Sequence, residues 1–249
     1  MCIRDRLSFR EYLQLFHNYE TDVYSLKQIV NNEVKLKDII HPLPLFDDYL
    51  KRGYYPFGFE NEMNIRLGQI IVQTLETDIP QYANLNVGTS RKLKQLLSII
   101  AESVPFKPNF SKISGIIGAS RNSLDDYFSY MEKAGLIGQL RNETGGIRGL
   151  GKVDKVYLDN TNIIYNLAGE KSNAGNMRET FFFNQMRVRN EVISSKKADF
   201  VIDDHTFEIG GKNKQQKQIE KDGKSYVVKD DIEFGYLNVI PLWAFGFSY

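Results

Sequence analysis

The chain has 249 residues, a formal net charge of +1, 42% hydrophobic residues and 25% charged residues. That length suits about two or three modest domains, and the near-zero charge excludes a global electrostatic pull toward nucleic acid, so any such binding needs a local patch. A single cysteine, Cys2, and three scattered histidines, His17, His41 and His205, exclude a disulfide framework and a cysteine- or histidine-rich zinc cluster. No apolar run approaches the roughly 18 residues of a membrane span and no signal-peptide core opens the chain, so a soluble, cytoplasmic protein without a membrane partner is expected.

Residues 1–6 give no helix start and do not share the pattern of the residues after them, which suggests a chain that begins inside a longer protein. From Leu7 the pattern is regular. Ser8-Phe9-Arg10-Glu11 is a capping box, and Tyr12, Leu13, Leu15 and Phe16 come next at helical spacing. Further helices are predicted over 25–34, over 45–52 with Gly53 as the cap, and over 61–77 with Ile65, Leu67, Ile70, Ile71 and Leu75 turned inward. Residues 1–90 therefore read as a helical bundle.

Residues 91–158 read as a winged helix-turn-helix. Helices are predicted over 91–104, with Gly88-Thr89-Ser90 as its capped start, over 111–117, and from the Ser120 cap to about Lys133, with Gly135 as the stop. The strands Leu136–Arg141 and Lys155–Leu158 then form a wing around Gly145-Gly146. In a DNA reader the third helix enters the major groove, with Arg121 and Asn122 at its start, and the cations Arg141, Arg148 and Lys152 lie in or beside the wing to meet phosphate. Asp125 and Asp126 sit in the same first turn and repel phosphate, so packing against protein stands beside DNA contact as a reading of this element.

Residues 159–249 open with a short helix over 159–167 and a longer one over 177–191. Phe181-Phe182-Phe183 in the latter either offers bases a stacking surface or is buried against a sheet; three successive aromatics face around a helix rather than along one stripe, which favours burial. Ala198–Lys212 then reads as a β-hairpin. With Asp204 and His205 as its loop, Val201 lies opposite Glu208 and Asp199 opposite Gly210, which sets Asp199 and Glu208 diagonally adjacent on one face. Two carboxylates so placed suit a Mg²⁺-dependent phosphodiester hydrolase, and Glu179 near the start of the upstream helix supplies a third. Acidic residues at hairpin ends also serve as plain solvated turn formers. A helix or turn over 214–219 and strands over 225–229 and 237–242 complete the chain, with an aromatic tail packed home.

The spacing of Asp199 and Glu208 resembles the core of the PD-(D/E)-x-K nuclease fold. Position 210, where the lysine of Glu-x-Lys falls, is Gly210, and Lys212 two residues on is a displaced substitute. A wider resemblance covers the whole chain. Leu7–Leu13, Tyr49–Pro56, Lys155–Asn162, Phe207–Lys214 and Ile240–Phe247 resemble the region C-terminal to the nucleotide-binding core in a large family of bacterial and archaeal AAA-type ATPases. The resemblance implies an α+β chain: helical bundle, winged helix, and a C-terminal α/β domain of restriction-endonuclease-like fold and uncharacterised function. No Gly-x-x-x-x-Gly-Lys-Ser/Thr occurs, so this chain holds no phosphate cradle and the ATP-binding core is expected upstream, as this chain's own partner. The leading expectation is a non-catalytic, regulatory or partner- or DNA-binding region of such an ATPase. A nuclease with Glu179, Asp199 and Glu208 around Mg²⁺, the metal on Asp199 and Glu208 and Lys212 as its lysine, is one alternative; a winged-helix DNA-binding module without catalysis is the other.

Overall fold

The capping box at Ser8 does what its chemistry requires. Ser8 accepts from the Glu11 backbone N–H, the Glu11 carboxylate accepts from the Ser8 N–H at 2.8 Å, and helix α1 runs over Phe9–His17. Ser25 and Gln28 repeat the device at α2, Leu26–Val30. The computed structural model describes residues 6–37, 39–102, 105–142, 151–169, 173–211 and 224–249, an α+β arrangement of helices with a seven-stranded mixed sheet. Residues 143–150 and 212–223, which include Arg148 and Lys212, lie outside the described residues.

The remaining bundle helices are α3 (Pro42–Asp48), α4 (Met63–Gln73) and α5 (Ile79–Ala83). Gly53 is not a left-handed cap: the chain continues from α3 through a wide π-helical turn, Tyr49–Gly53. Glycine is needed there for space, since a Cβ would fall 2.5 Å from the Tyr49 ring and 2.7 Å from that of Tyr12. In α4, Leu67 and Ile71 are buried as predicted, whereas Ile65 faces solvent. Helix α6 (Val87–Glu102) starts four residues before the predicted Arg91, because Asn86 rather than Ser90 receives the free N–H of Thr89.

Next come helices α7 (Phe110–Ile117) and α8 (Arg121–Lys133), then strands β1 (Ile137–Arg141) and β2 (Val153–Leu158), antiparallel to each other. After α9 (Thr161–Ala168) and α10 (Ala174–Met186) come β3 (Val192–Ser194), β4 (Phe200–Ile202), β5 (His205–Gly210), β6 (Ser225–Lys229) and β7 (Val239–Pro241). The sheet order is β2-β1-β3-β4-β5-β6-β7, parallel at β1/β3, β5/β6 and β6/β7 and antiparallel elsewhere.

Helix α10 is buried all round from Thr180 to Met186 and sits at the centre. Phe182 packs on Phe200, Phe207 and Phe245 with ring centroids 4.8–5.2 Å apart, Phe183 on Tyr157 at 5.1 Å, and Phe181 on Phe46 at 4.8 Å. The three phenylalanines are buried, so they offer no stacking surface to bases. The C-terminal 3₁₀ helix, Leu242–Phe247, returns to α1, where Phe9 meets Phe247 at 5.6 Å and Arg10 Nε donates to the Tyr249 carbonyl at 2.8 Å. The first and last segments of the chain thus share one core.

Candidate functional site

The loop of the hairpin that carries the predicted carboxylates lies one residue earlier than predicted, which moves each cross-strand partner by two, Val201 facing Thr206 rather than Glu208. Its loop is Asp203-Asp204, with Asp203 in the left-handed region at φ 53°, a conformation aspartate tolerates better than most residues. Ile202 pairs with His205, Val201 with Thr206 and Phe200 with Phe207. The ladder ends at the Phe200–Phe207 pair, so Asp199 lies in a bend just outside it and strand pairing does not set it against Glu208, while Gly210 is in register with Lys229 of β6.

Asp199 turns its carboxylate inward. Its Oδ2 accepts the Ile209 backbone N–H at 2.8 Å, and its own N–H donates to the Phe207 carbonyl at 3.0 Å. Its Oδ1 lies 3.7 Å from Lys155 Nζ. Glu179, projecting from α10, comes to the same ammonium: Lys155 Nζ donates to Glu179 Oε2 at 3.2 Å, and Tyr157 Oη donates to that oxygen at 2.7 Å. Lys155 and Tyr157 are two apart on β2, so strand alternation points both at α10. Burial, then the Glu179 charge, holds the Tyr157 hydroxyl protonated well above the usual tyrosine range, so it stays a donor.

The structure therefore brings Glu179 and Asp199 together around one lysine that hairpin spacing does not suggest. The signal was present in the alternation of Lys155 and Tyr157, but that strand reads as a wing and nothing local points it toward Glu179. Glu208 is partly buried on β5, in register with Val227 of β6. Among the described residues no group of three His, Cys, Asp or Glu side chains stands close enough to hold a metal ion. Mg²⁺ is commonly held by one or two carboxylates together with waters, and here the ammonium of Lys155 stands 3.2 Å from Glu179 and 3.7 Å from Asp199.

A second charged centre gathers on Asp159, just past the end of β2. The Asp159 carboxylate is fully buried and paired with Arg6 at 2.5 Å and with Arg187, which projects from the end of α10. Arg178 pairs with Asp230 where β5 ends, and a Cβ on Gly211 would fall 3.3 Å from that guanidinium.

The residues predicted to meet nucleic acid are separated. Arg121 and Asn122 are exposed at the start of α8, with Asp125 and Asp126 exposed one turn on. Arg141 is half-buried, donating to the Gly151 carbonyl at 3.4 Å and lying 3.7 Å from Glu132. Lys152 is exposed just before β2. No helix among the described residues is long and apolar enough to cross a membrane.

No curated protein and no solved structure matches the chain. A family does match, from α3 to the first residue of α10, and that stretch contains the whole of β2 with Lys155 and Tyr157 but ends before Glu179, Asp199 and Glu208. Over residues 43–174, more than half of its length, the chain belongs to the family described as Domain of unknown function (DUF8612).

Proposed function

We propose that this chain is a non-catalytic interaction region, the C-terminal part of an AAA-type ATPase, in which a nuclease-like carboxylate site is closed by its own lysine. The observation that carries the reading is the position of Lys155, 3.2 Å from Glu179 and 3.7 Å from Asp199. An ammonium there supplies the positive charge that a divalent ion supplies in a phosphodiester hydrolase, and it activates no water. Gly210, where a Glu-x-Lys lysine would stand, supports the same reading. The AAA assignment rests on sequence phrases such as Tyr49–Pro56 and Ile240–Phe247, and the partner it implies is the ATP-binding core upstream.

The test is melting of the purified chain with and without Mg²⁺ or Mn²⁺, beside cleavage of plasmid and single-stranded DNA. No cleavage and no metal-induced rise in melting temperature are expected. Lys155→Met should acquire a metal-dependent rise, because it takes away the ammonium that the two carboxylates share and leaves their negative charge to be answered by the ion.

A second reading is favoured by one observation, the approach of Glu179 and Asp199 to a single lysine. In it the site is a metal-dependent nuclease with Lys155 in the role of the missing lysine. Cleavage abolished by Asp199→Ala and by Glu208→Ala would establish it. A third reading takes α6, α7, α8, β1 and β2 together as a winged helix that meets DNA through exposed Arg121 and Asn122. Binding through them should weaken steeply with salt and be lost in Arg121→Glu.

A further inference from the structure

A cavity of about 510 Å³ opens on the side of the molecule where residues 29–37 and 39–42 meet residues 233–244. Its lining includes Trp243, the chain's single tryptophan, whose buried indole N–H has no acceptor among the described residues. Of the lining side chains Ile40 is 77% exposed and Phe234 76%, and Leu237, outside the lining in the turn that continues from Phe234, is 89% exposed. Scattered exposed apolar residues are ordinary, but several large ones grouped about a cavity mark an interaction site.

Leu237 is the informative residue. Its φ of 51° is a left-handed conformation that glycine takes readily and leucine takes at a cost. The turn is also fixed in place. Tyr236 and Val239 exchange backbone hydrogen bonds at 3.0 and 2.9 Å, and Asn32 Nδ2 donates to the Leu237 carbonyl at 3.2 Å. A Cβ on Gly235 would lie 1.7 Å from Asn32 Oδ1, so the turn sits directly on that side chain. Neither burial nor backbone ease accounts for a leucine here. A rigid turn that presents a large apolar side chain to solvent has the form of a preorganised anchor.

Charge selects the partner. Lys35 and Lys37 also line the cavity, both exposed and neither in an ion pair among the described residues. The acid on the same lining, Glu233, is engaged by His41 Nδ1 at 2.9 Å.

We infer that the surface formed by Ile40, Phe234, Leu237 and the Trp243 cavity docks a segment of a partner protein that carries bulky apolar side chains flanked by acidic residues. The inference rests on the reading of this chain as an interaction region, but it involves none of the carboxylates around Lys155, so the two fail separately: nuclease activity would leave it standing.

Trp243 makes occupancy measurable without a label. The full chain is titrated, following its tryptophan emission, with a tryptophan-free acetylated peptide holding a leucine and a phenylalanine between glutamates, and with the same peptide flanked by lysines. The acidic peptide should shift the emission and bind about tenfold tighter at low salt, the ratio shrinking as salt rises. Leu237→Gly should weaken it about tenfold while raising the melting temperature, a combination that simple damage to the fold does not produce. No emission change up to about 1 mM acidic peptide, equal binding of both peptides, or unaltered binding by Leu237→Gly would each overturn the proposal. So would concentration-dependent self-association abolished by Leu237→Gly, which would make a second copy of the chain the occupant.

Discussion

The two regions that stand out on this molecule are opposites. Around α10 the charges are answered from within: Glu179 and Asp199 by Lys155, Asp159 by Arg6 and Arg187, Asp230 by Arg178. Around Trp243 large apolar side chains and two lysines face solvent, with a leucine held in a costly conformation at the edge. The first region carries the recognisable spacing of acids and the second carries none. Chemistry depends on what a side chain has left to offer, and a carboxylate spacing says nothing about whether a neighbouring strand has already used it.

The largest effect should come from raising the pH. Burial drives Tyr49, Tyr54 and Tyr157 well above the ordinary tyrosine range and Tyr55 up to about 12. Because the folded-state values are raised, the unfolded chain loses these protons first, so stability is intact below pH about 10 and falls above it, by up to about 1.4 kcal/mol per pH unit for each tyrosine. Four such groups are enough to unfold a domain of ordinary stability within a few pH units. Urea melts across that range, with tyrosinate absorbance as the second signal, should show ionisation and unfolding together. Ionisation well before unfolding would mean the interior is not closed.

Asp159→Ala is next. It strands Arg6 and Arg187 beside a buried void, and loss of one partner from a buried ion cluster costs about 3–5 kcal/mol. Denaturant midpoints measure it, and a cost under about 1 kcal/mol would place the cluster at the surface in solution.

Much of the helical region is legible in the sequence because its signals are local. Ser8 with Glu11 and Ser25 with Gln28 state both the start of a helix and the reason for it. The hairpin was legible in kind but not in register, since Asp203 and Asp204 are equally good turn formers and one residue decides every cross-strand neighbour. Lys155 was hidden for another reason: its partners lie on α10 and before β4, and only the packing of Tyr157 on Phe183 brings β2 to them. The Trp243 cavity joins segments about 200 positions apart and has no motif, so sequence alone holds no trace of it beyond the puzzle of a leucine between Tyr236 and Asn238.

Lys155→Met should cost about 2 kcal/mol, less than Asp159→Ala because all three side chains at that site keep a solvent-facing edge, with 15%, 18% and 20% exposed for Lys155, Glu179 and Asp199. Its sharper consequence is qualitative. If the lysine is what closes the site, its loss makes stability respond to Mg²⁺ or Mn²⁺ where the natural chain does not. A natural chain already stabilised by those ions would place the carboxylates among working metal ligands and erase the contrast between the two regions.

The smallest effect has the opposite sign. Leu237→Gly removes an exposed side chain and relieves a left-handed backbone; glycine is more flexible when unfolded, which offsets part of the gain, and about 1 kcal/mol of stabilisation should remain. A rise in the denaturant midpoint, with unchanged Trp243 emission in the free protein, would show that the turn carries Leu237 at the expense of stability. Residues of that kind are kept for what they touch. A loss of stability would mean that the leucine packs against its own chain in solution, and the apolar face around Trp243 would then be as self-contained as the charged centre around α10.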